Sequence, residues 1–154
     1  MDQNLKAILD MIAMSEGTYG KGDDGYNVLA GGRAFLSLRD HPNVLVSLPR
    51  KSGDPLETTA AGRYQLLHRY WAAYQKLLNL PDFGHASQDA VALQQIKECG
   101  AYQAALDGDI PAFCARASRI WASIPGNDYG QPVHTVEQLT AWFKERGGVC
   151  KSHS

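Results

Sequence analysis

Glu16 is the residue of this chain best placed for acid–base chemistry. Leu5, Ile8, Leu9 and Ile12 recur at the i, i+3, i+4, i+7 spacing of an amphipathic helix. At the helical turn angle of about 100° per residue, position 16 falls on the same face, so the carboxyl continues an apolar stripe. It also falls in the last turn before Gly17, where free carbonyls and the helix macrodipole disfavour a negative charge. Desolvation and dipole both raise its pKa, toward a carboxyl still protonated near neutrality. A proton-donating glycosidase acid needs this property, with a pKa of roughly 6 in the best-known pattern. On geometry alone the ordinary alternative stays open: a helix-terminal Glu that swings into solvent or pairs with Arg or Lys.

Two further segments carry side chains suited to sugars. TTAAGRYQ, residues 58–65, combines small residues that admit a close ligand with the Tyr64 ring and the Gln65 amide. A pyranose presents both hydroxyls and an apolar C–H face, and so calls for that combination. The plain alternative is a helix N-terminus capped by Thr59. SIPGNDYGQ, residues 123–131, is a Gly/Pro loop holding Tyr129 and Gln131, with a simple connector as its alternative. Gln94 and Gln95 read as helix-surface amides. Tyr70, Trp71, Tyr74, Trp142 and Phe143 recur at helical spacing and read as core. His41, His68, His85, His134 and His153 show no metal-ligand spacing, so no metal and no cofactor is expected.

The elements that must position these residues can be read from the same pattern. Asp2 or Asn4 caps the first helix, which Gly17 ends. Short strand-like runs at 26–30, 35–38 and 44–48 are separated by Gly31-Gly32 and Asp40-His41-Pro42 and read as a small antiparallel sheet. The polar stretch 49–59 reads as a mobile rim loop. Helical periodicity then returns. One helix runs from Leu66 to Leu78, one from Ser87 toward Gly100, one follows an Asp109 cap to Trp121, and a last one starts at Thr135 and stops at Gly147-Gly148. The expected fold is α+β and mainly α, a single domain over 1–154 with a small β lobe over about 20–58.

Length and composition bound the rest. A chain of 154 residues buries roughly 70% of its unfolded surface, enough for a core without staples. The formal net charge of −1 excludes a nucleic-acid binder relying on a broad basic face. No run approaches the ~18 apolar residues of a membrane span, and no signal-peptide pattern opens the chain, so synthesis in the cytosol and no membrane insertion are expected. Cys99, Cys114 and Cys150 match no zinc spacing and read as free thiols.

The segments MIAMSEGT, GYNVLAGG, DHP at 40–42, AGRYQLL, SQDAVALQQIKE, SRIWASIPG with YGQ, and FKERGG follow one another across nearly the whole chain. In that order they resemble the lysozyme-like lytic transglycosylase family of phage endolysins. The resemblance implies a lysozyme-like fold, with a cleft flanked by a helical lobe and a small-sheet lobe. It places the single catalytic acid/base on Glu16 and substrate contacts on Gly62, Arg63, Tyr64, Gln65, Tyr129 and Gln131. It implies cleavage of the β-1,4 bond between N-acetylmuramic acid and N-acetylglucosamine in peptidoglycan glycan strands, after holin-type release to the periplasm; a monomer is the default for a small enzyme that must enter a polymer mesh. The chain departs from the family pattern mainly at 18–24 (TYGKGDD) and 49–59. Two other readings stand beside this one. A hydrolysing lysozyme would need a second carboxylate ~5–9.5 Å from the first, for which Asp23, Asp24 or Asp40 are candidates. A non-catalytic peptidoglycan-binding module would have no use for a buried carboxyl.

Overall fold

The computed structural model describes residues 1–51, 53–126 and 134–152. Its first helix, α1 (Gln3–Glu16), starts where Asp2 Oδ1 accepts from the backbone N–H groups of Asn4 and Leu5. Asp2 is therefore the cap, while Asn4 instead bonds Leu106 and Val149. The helix buries more than one stripe: Ala7, Met11, Ala13 and Ser15 are covered as well as Leu5, Ile8, Leu9 and Ile12. The small Ala and Ser side chains let neighbours approach the face that periodicity alone would leave wet.

Two compact units follow from the contacts within the chain. One is Met1–Glu16 with Ala92–Ser154; the other is Gly17–Val91, wider than the 20–58 span expected for a β lobe. In the first unit, α1 packs on α4 (Tyr102–Asp107) and α6 (Val136–Glu145), and α5 (Ile110–Ala117) packs on both α4 and α6. Ile8, Met11, Ile12, Ile96, Ile110, Phe113, Ile124, Leu139 and Phe143 are its large, fully buried hydrophobic side chains. Asp109 caps α5 through Ala112 N–H, and Thr135 caps α6 through Gln138 N–H, as expected. α4 is absent from the sequence reading because six residues between Gly100 and Gly108 are too few to show a period.

The second unit holds β1 (Val46–Leu48), β2 (Leu56–Thr58), α2 (His68–Leu78) and the first half of α3 (His85–Glu98). The strands pair antiparallel, with Val46 opposite Thr58 and Leu48 opposite Leu56. This corrects three expectations. The run 26–30 forms only isolated bridges, Val28 with Ala34 and Leu29 with Ala61, and the run 35–38 forms none. Gly31 and Gly32, at φ of +85° and +100°, turn the chain so tightly that Leu29 bonds Arg33 and Gly32 bonds Leu29. The stretch 49–59, expected as a loop, supplies β2; an exposed hairpin strand needs no apolar alternation, so Leu-Glu-Thr gives no signal. Helix α2 begins at His68, because Leu66 is taken by a bridge to Ala61, and α3 begins before Ser87, whose hydroxyl bonds Asp82.

Leu29, Phe35, Ala61, Leu66, Trp71, Phe83 and Val91 form the core of this unit. Trp71 satisfies its indole N–H on Asp40 Oδ1 at 2.7 Å. His41 accepts from Asn43 N–H at Nδ1, so its Nε2 carries the proton and donates to Leu66 O at 2.8 Å. Burial holds its pKa below the usual value. Of the aromatics expected in the core, Trp71 and Phe143 are buried, while Tyr70 lies exposed against Arg69. No described helix is long and apolar enough to cross a membrane. The three cysteines are free thiols.

Candidate active site

Glu16 ends α1, and Gly17 at φ +78° turns the chain away immediately after it. The carboxyl keeps part of its surface open, yet crowding by protein atoms dominates its electrostatics. Burial raises its pKa from 4.5 to about 7, and a hydrogen bond from Ser123 opposes that rise without cancelling it. Ser123 Oγ donates to Glu16 Oε1 at 3.1 Å and lies 2.7 Å from Ser15 Oγ. His134 Nε2 donates to the carbonyl of Ser15 at 3.1 Å, satisfying one of the open acceptors at the helix end. The arrangement can give up a proton near neutral pH and hold the carboxylate that results.

Spacing singled out neither Ser15 nor His134, and Ser123 stood out only as the start of a loop. Ser123 and Glu16 are 107 positions apart in the chain, and no local pattern reports such a pair.

The turn 61–65 is built from within. Gly62 has φ +86°, and a Cβ there would come within 2.3 Å of Gln88 Oε1 and 3.1 Å of Phe83. Its small size serves packing against Gln88, whose side-chain oxygen accepts from Arg63 N–H while its amide donates to Tyr26 O and Phe83 O. Gln88 belongs to the long SQDAVALQQIKE segment, which explains what that segment holds.

Arg63 is 3% exposed. Its Nε donates to Asp24 O at 3.0 Å, Nη2 meets Asp24 Oδ2 at 3.3 Å, and Nη1 donates to Tyr64 OH at 3.2 Å. The rings of Tyr19, Tyr26 and Tyr64 each lie within 6 Å of its guanidinium, in cation–π range. Tyr64 OH and Tyr26 OH both donate to Asp89 Oδ1, at 2.6 and 2.9 Å. Burial and the Asp89 charge push the Tyr26 phenol up to about 12 and raise that of Tyr64 further. Thr18, two residues after Glu16 in the chain, donates to Arg63 O. Gln65, half-buried in a left-handed conformation at φ +56°, donates to Val28 O and Gly62 O.

Gly62, Arg63 and Tyr64 are thus brought together by a buried polar network, with Gln65 at its margin. Tyr129 and Gln131 lie outside the described residues. The carboxylates weighed as partners of Glu16 are engaged elsewhere: Asp24 with Arg63, Asp23 with His85 Nε2, and Asp40 with Trp71. A concavity of about 600 Å³ lies in this unit between the hairpin and the start of α2, lined by Leu45, Leu56, Leu67 and Arg69 among others, with none of residues 62–65 on its wall. Among the described residues no three His, Cys, Asp or Glu side chains gather as metal ligands.

Residues 6–150 match the family model Endolysin. The chain is 51% identical to the endolysin of Escherichia phage lambda, over 98% of this chain and 96% of that one. It is 39% identical to the endolysin of Escherichia phage P2, over 96% and 94%. A solved structure of bacteriophage lambda lysozyme complexed with a chitohexasaccharide superposes with a TM-score of 0.91 at 50% identity, covering 98% of both chains. A second lambda lysozyme structure gives 0.88 at 48% identity. The fold, mainly helical with a small antiparallel sheet, is shared with that lysozyme.

Proposed function

Since this chain belongs to the Endolysin family, we propose that it degrades peptidoglycan as a lytic transglycosylase, with Glu16 as the sole acid/base. One observation carries the reading: a single carboxyl at a helix end has its pKa lifted to about 7, while Asp23, Asp24 and Asp40 are committed to other partners. An acid with that pKa is still substantially protonated at neutral pH, where a free Glu is ionised.

In the reaction, protonated Glu16 donates to the oxygen of the β-1,4 bond between N-acetylmuramic acid and N-acetylglucosamine. The C1–O bond breaks as oxocarbenium character develops at C1. The Glu16 carboxylate then takes the proton of the same sugar's C6 hydroxyl, whose oxygen bonds to C1 and closes a 1,6-anhydro ring. The proton lost in the first step is regained in the second, and no water is consumed. Because the nucleophile is tethered, its effective concentration is high without a second carboxylate.

A lambda lysozyme bound to a chitohexasaccharide supports a glycan strand as the substrate here. In this reading the 62–65 turn meets the strand through Gln65, with Gly62, Arg63 and Tyr64 holding that turn rigid, and Tyr129 and Gln131 supply contacts from the other segment. The enzyme works as a monomer without cofactor, on the periplasmic wall after holin-type release. Mass spectrometry of soluble fragments from purified peptidoglycan tests the chemistry. Fragments ending in 1,6-anhydromuramic acid are expected; reducing ends would make the enzyme a hydrolase and require a second carboxylate.

A further inference from the structure

The reaction as written uses one group of the Glu16 site and leaves a neighbouring pair of hydroxyls without a task. We propose that Ser123, oriented by Ser15, is a positioning residue that fixes which oxygen of Glu16 delivers the proton. The inference rests on the assignment of Glu16 as the acid.

Proton counting gives the direction of the chain. A serine hydroxyl has one hydrogen to donate. Oε1 of the ionised carboxylate can only accept, so Ser123 spends its hydrogen on it and the 2.7 Å contact with Ser15 Oγ is then filled by Ser15 donating to Ser123. Oε1 is thereby held as an acceptor. Among the described residues Ser123 is the side chain that bonds the Glu16 carboxyl, and it does so at Oε1, which leaves Oε2 to take the acidic proton. Once the proton leaves, the Ser15–Ser123–Oε1 chain strengthens, because its terminal acceptor now carries charge.

The relay is rigidly mounted. Ser15 is 5% exposed on α1, with its carbonyl bonded by His134. Ser123 stands between two buried anchors, Trp121 and Ile124, whose backbones bond each other at 3.0 Å. The titratable groups on the elements packed against α1 are Tyr102 and Asp107 on α4 and Glu137, Lys144 and Glu145 on α6, with His134 just before α6. None contributes to the shift at Glu16, which comes from burial and Ser123.

The test compares Ser123→Ala, Ser123→Thr, Ser15→Ala and Glu16→Gln on purified peptidoglycan, reading kcat, KM and the pH profile. Carbon-13 NMR follows the Glu16 carboxyl titration in the Ser123→Ala protein. Ser123→Ala is expected to lower kcat about tenfold at unchanged KM and to move the alkaline limb upward by about one pH unit, as loss of a charge-assisted hydrogen bond requires. Ser123→Thr, which keeps the hydroxyl, should restore most of both. Ser15→Ala should move both in the same direction by less. A Ser123→Ala enzyme with parental kcat and an unmoved Glu16 titration, or one altered in KM alone, would overturn the proposal. A Glu16→Gln enzyme at parental rate would instead remove the acid assignment beneath it, a result no Ser123 variant can mimic.

Discussion

Ser123 Oγ stands 3.1 Å from Glu16 Oε1, and this bond works against the burial that otherwise governs the carboxyl. The outcome is a pKa of about 7, high enough to keep the proton at neutral pH and low enough to release it. Both the pH dependence of activity and that of stability follow from this balance.

Activity as an acid should fall as pH rises through about 7, where Glu16 loses its proton. Stability has the same sign. The folded pKa lies above the unfolded value of 4.5, so the contribution is fully present below pH 4.5 and is lost as pH rises toward 7. Glu16→Gln removes the charge in both states. It should be level with the parent near pH 4 and more stable by about 2 kcal/mol at pH 8, allowing for partial solvent screening. The same variant should lose roughly 10²–10⁴-fold in rate. Urea midpoints at pH 4 and pH 8 check this; a variant less stable than the parent at pH 8 would show that the carboxylate is stabilised in the fold.

Gly62→Ala should destabilise by about 3 kcal/mol, from left-handed strain and from displacing the Gln88 oxygen. Gly20→Ala is the control, with φ +74° and nothing within 4 Å of the added methyl, and should cost only about 1 kcal/mol. Melting temperatures of the pair decide the matter. Equal losses would mean that Gln88 gives way freely and that Gly62 is needed only for its backbone angle.

Arg63→Met should cost about 3 kcal/mol in chemical denaturation, because it leaves Asp24 O and Tyr64 OH short of a donor inside a packed site. Arg63→Lys should recover little. A single ammonium cannot reach Asp24 O, Asp24 Oδ2 and Tyr64 OH from one planar fork. A lysine variant as stable as the parent would show that charge alone, without geometry, holds the turn.

Cys114 is buried, and burial pushes its thiol up to about 12. Cys150 is partly exposed. Timed labelling of the native protein with a thiol reagent, mapped by peptide mass, should modify Cys150 first and leave Cys114 intact until denaturant is added. Early loss of Cys114 would reveal opening of the α5 region under native conditions.

Most helices were legible because each records its environment in its own sequence: a period of 3.6 residues, a cap such as Asp109 or Thr135, a glycine stop such as Gly17. The small sheet is less legible: the apolar run 26–30 serves turns and isolated bridges, the run 35–38 forms no bridge, and the polar strand at 56–58 carries no alternation. Helix α4 was too short to leave a pattern.

The place of Glu16 on an apolar stripe at a helix end was legible in the sequence by itself, since it is a local property that anticipates burial and a raised pKa. Local information ends there. Tertiary structure decided that Ser123 and Ser15 meet its carboxyl, that Gly62 is small for the sake of Gln88, and that Arg63 and Tyr64 are occupied by Asp24 and Asp89 inside the protein. These are contacts between residues 25 to 108 positions apart. A hydrogen bond depends on distance and direction in space, and the chain records only order along itself.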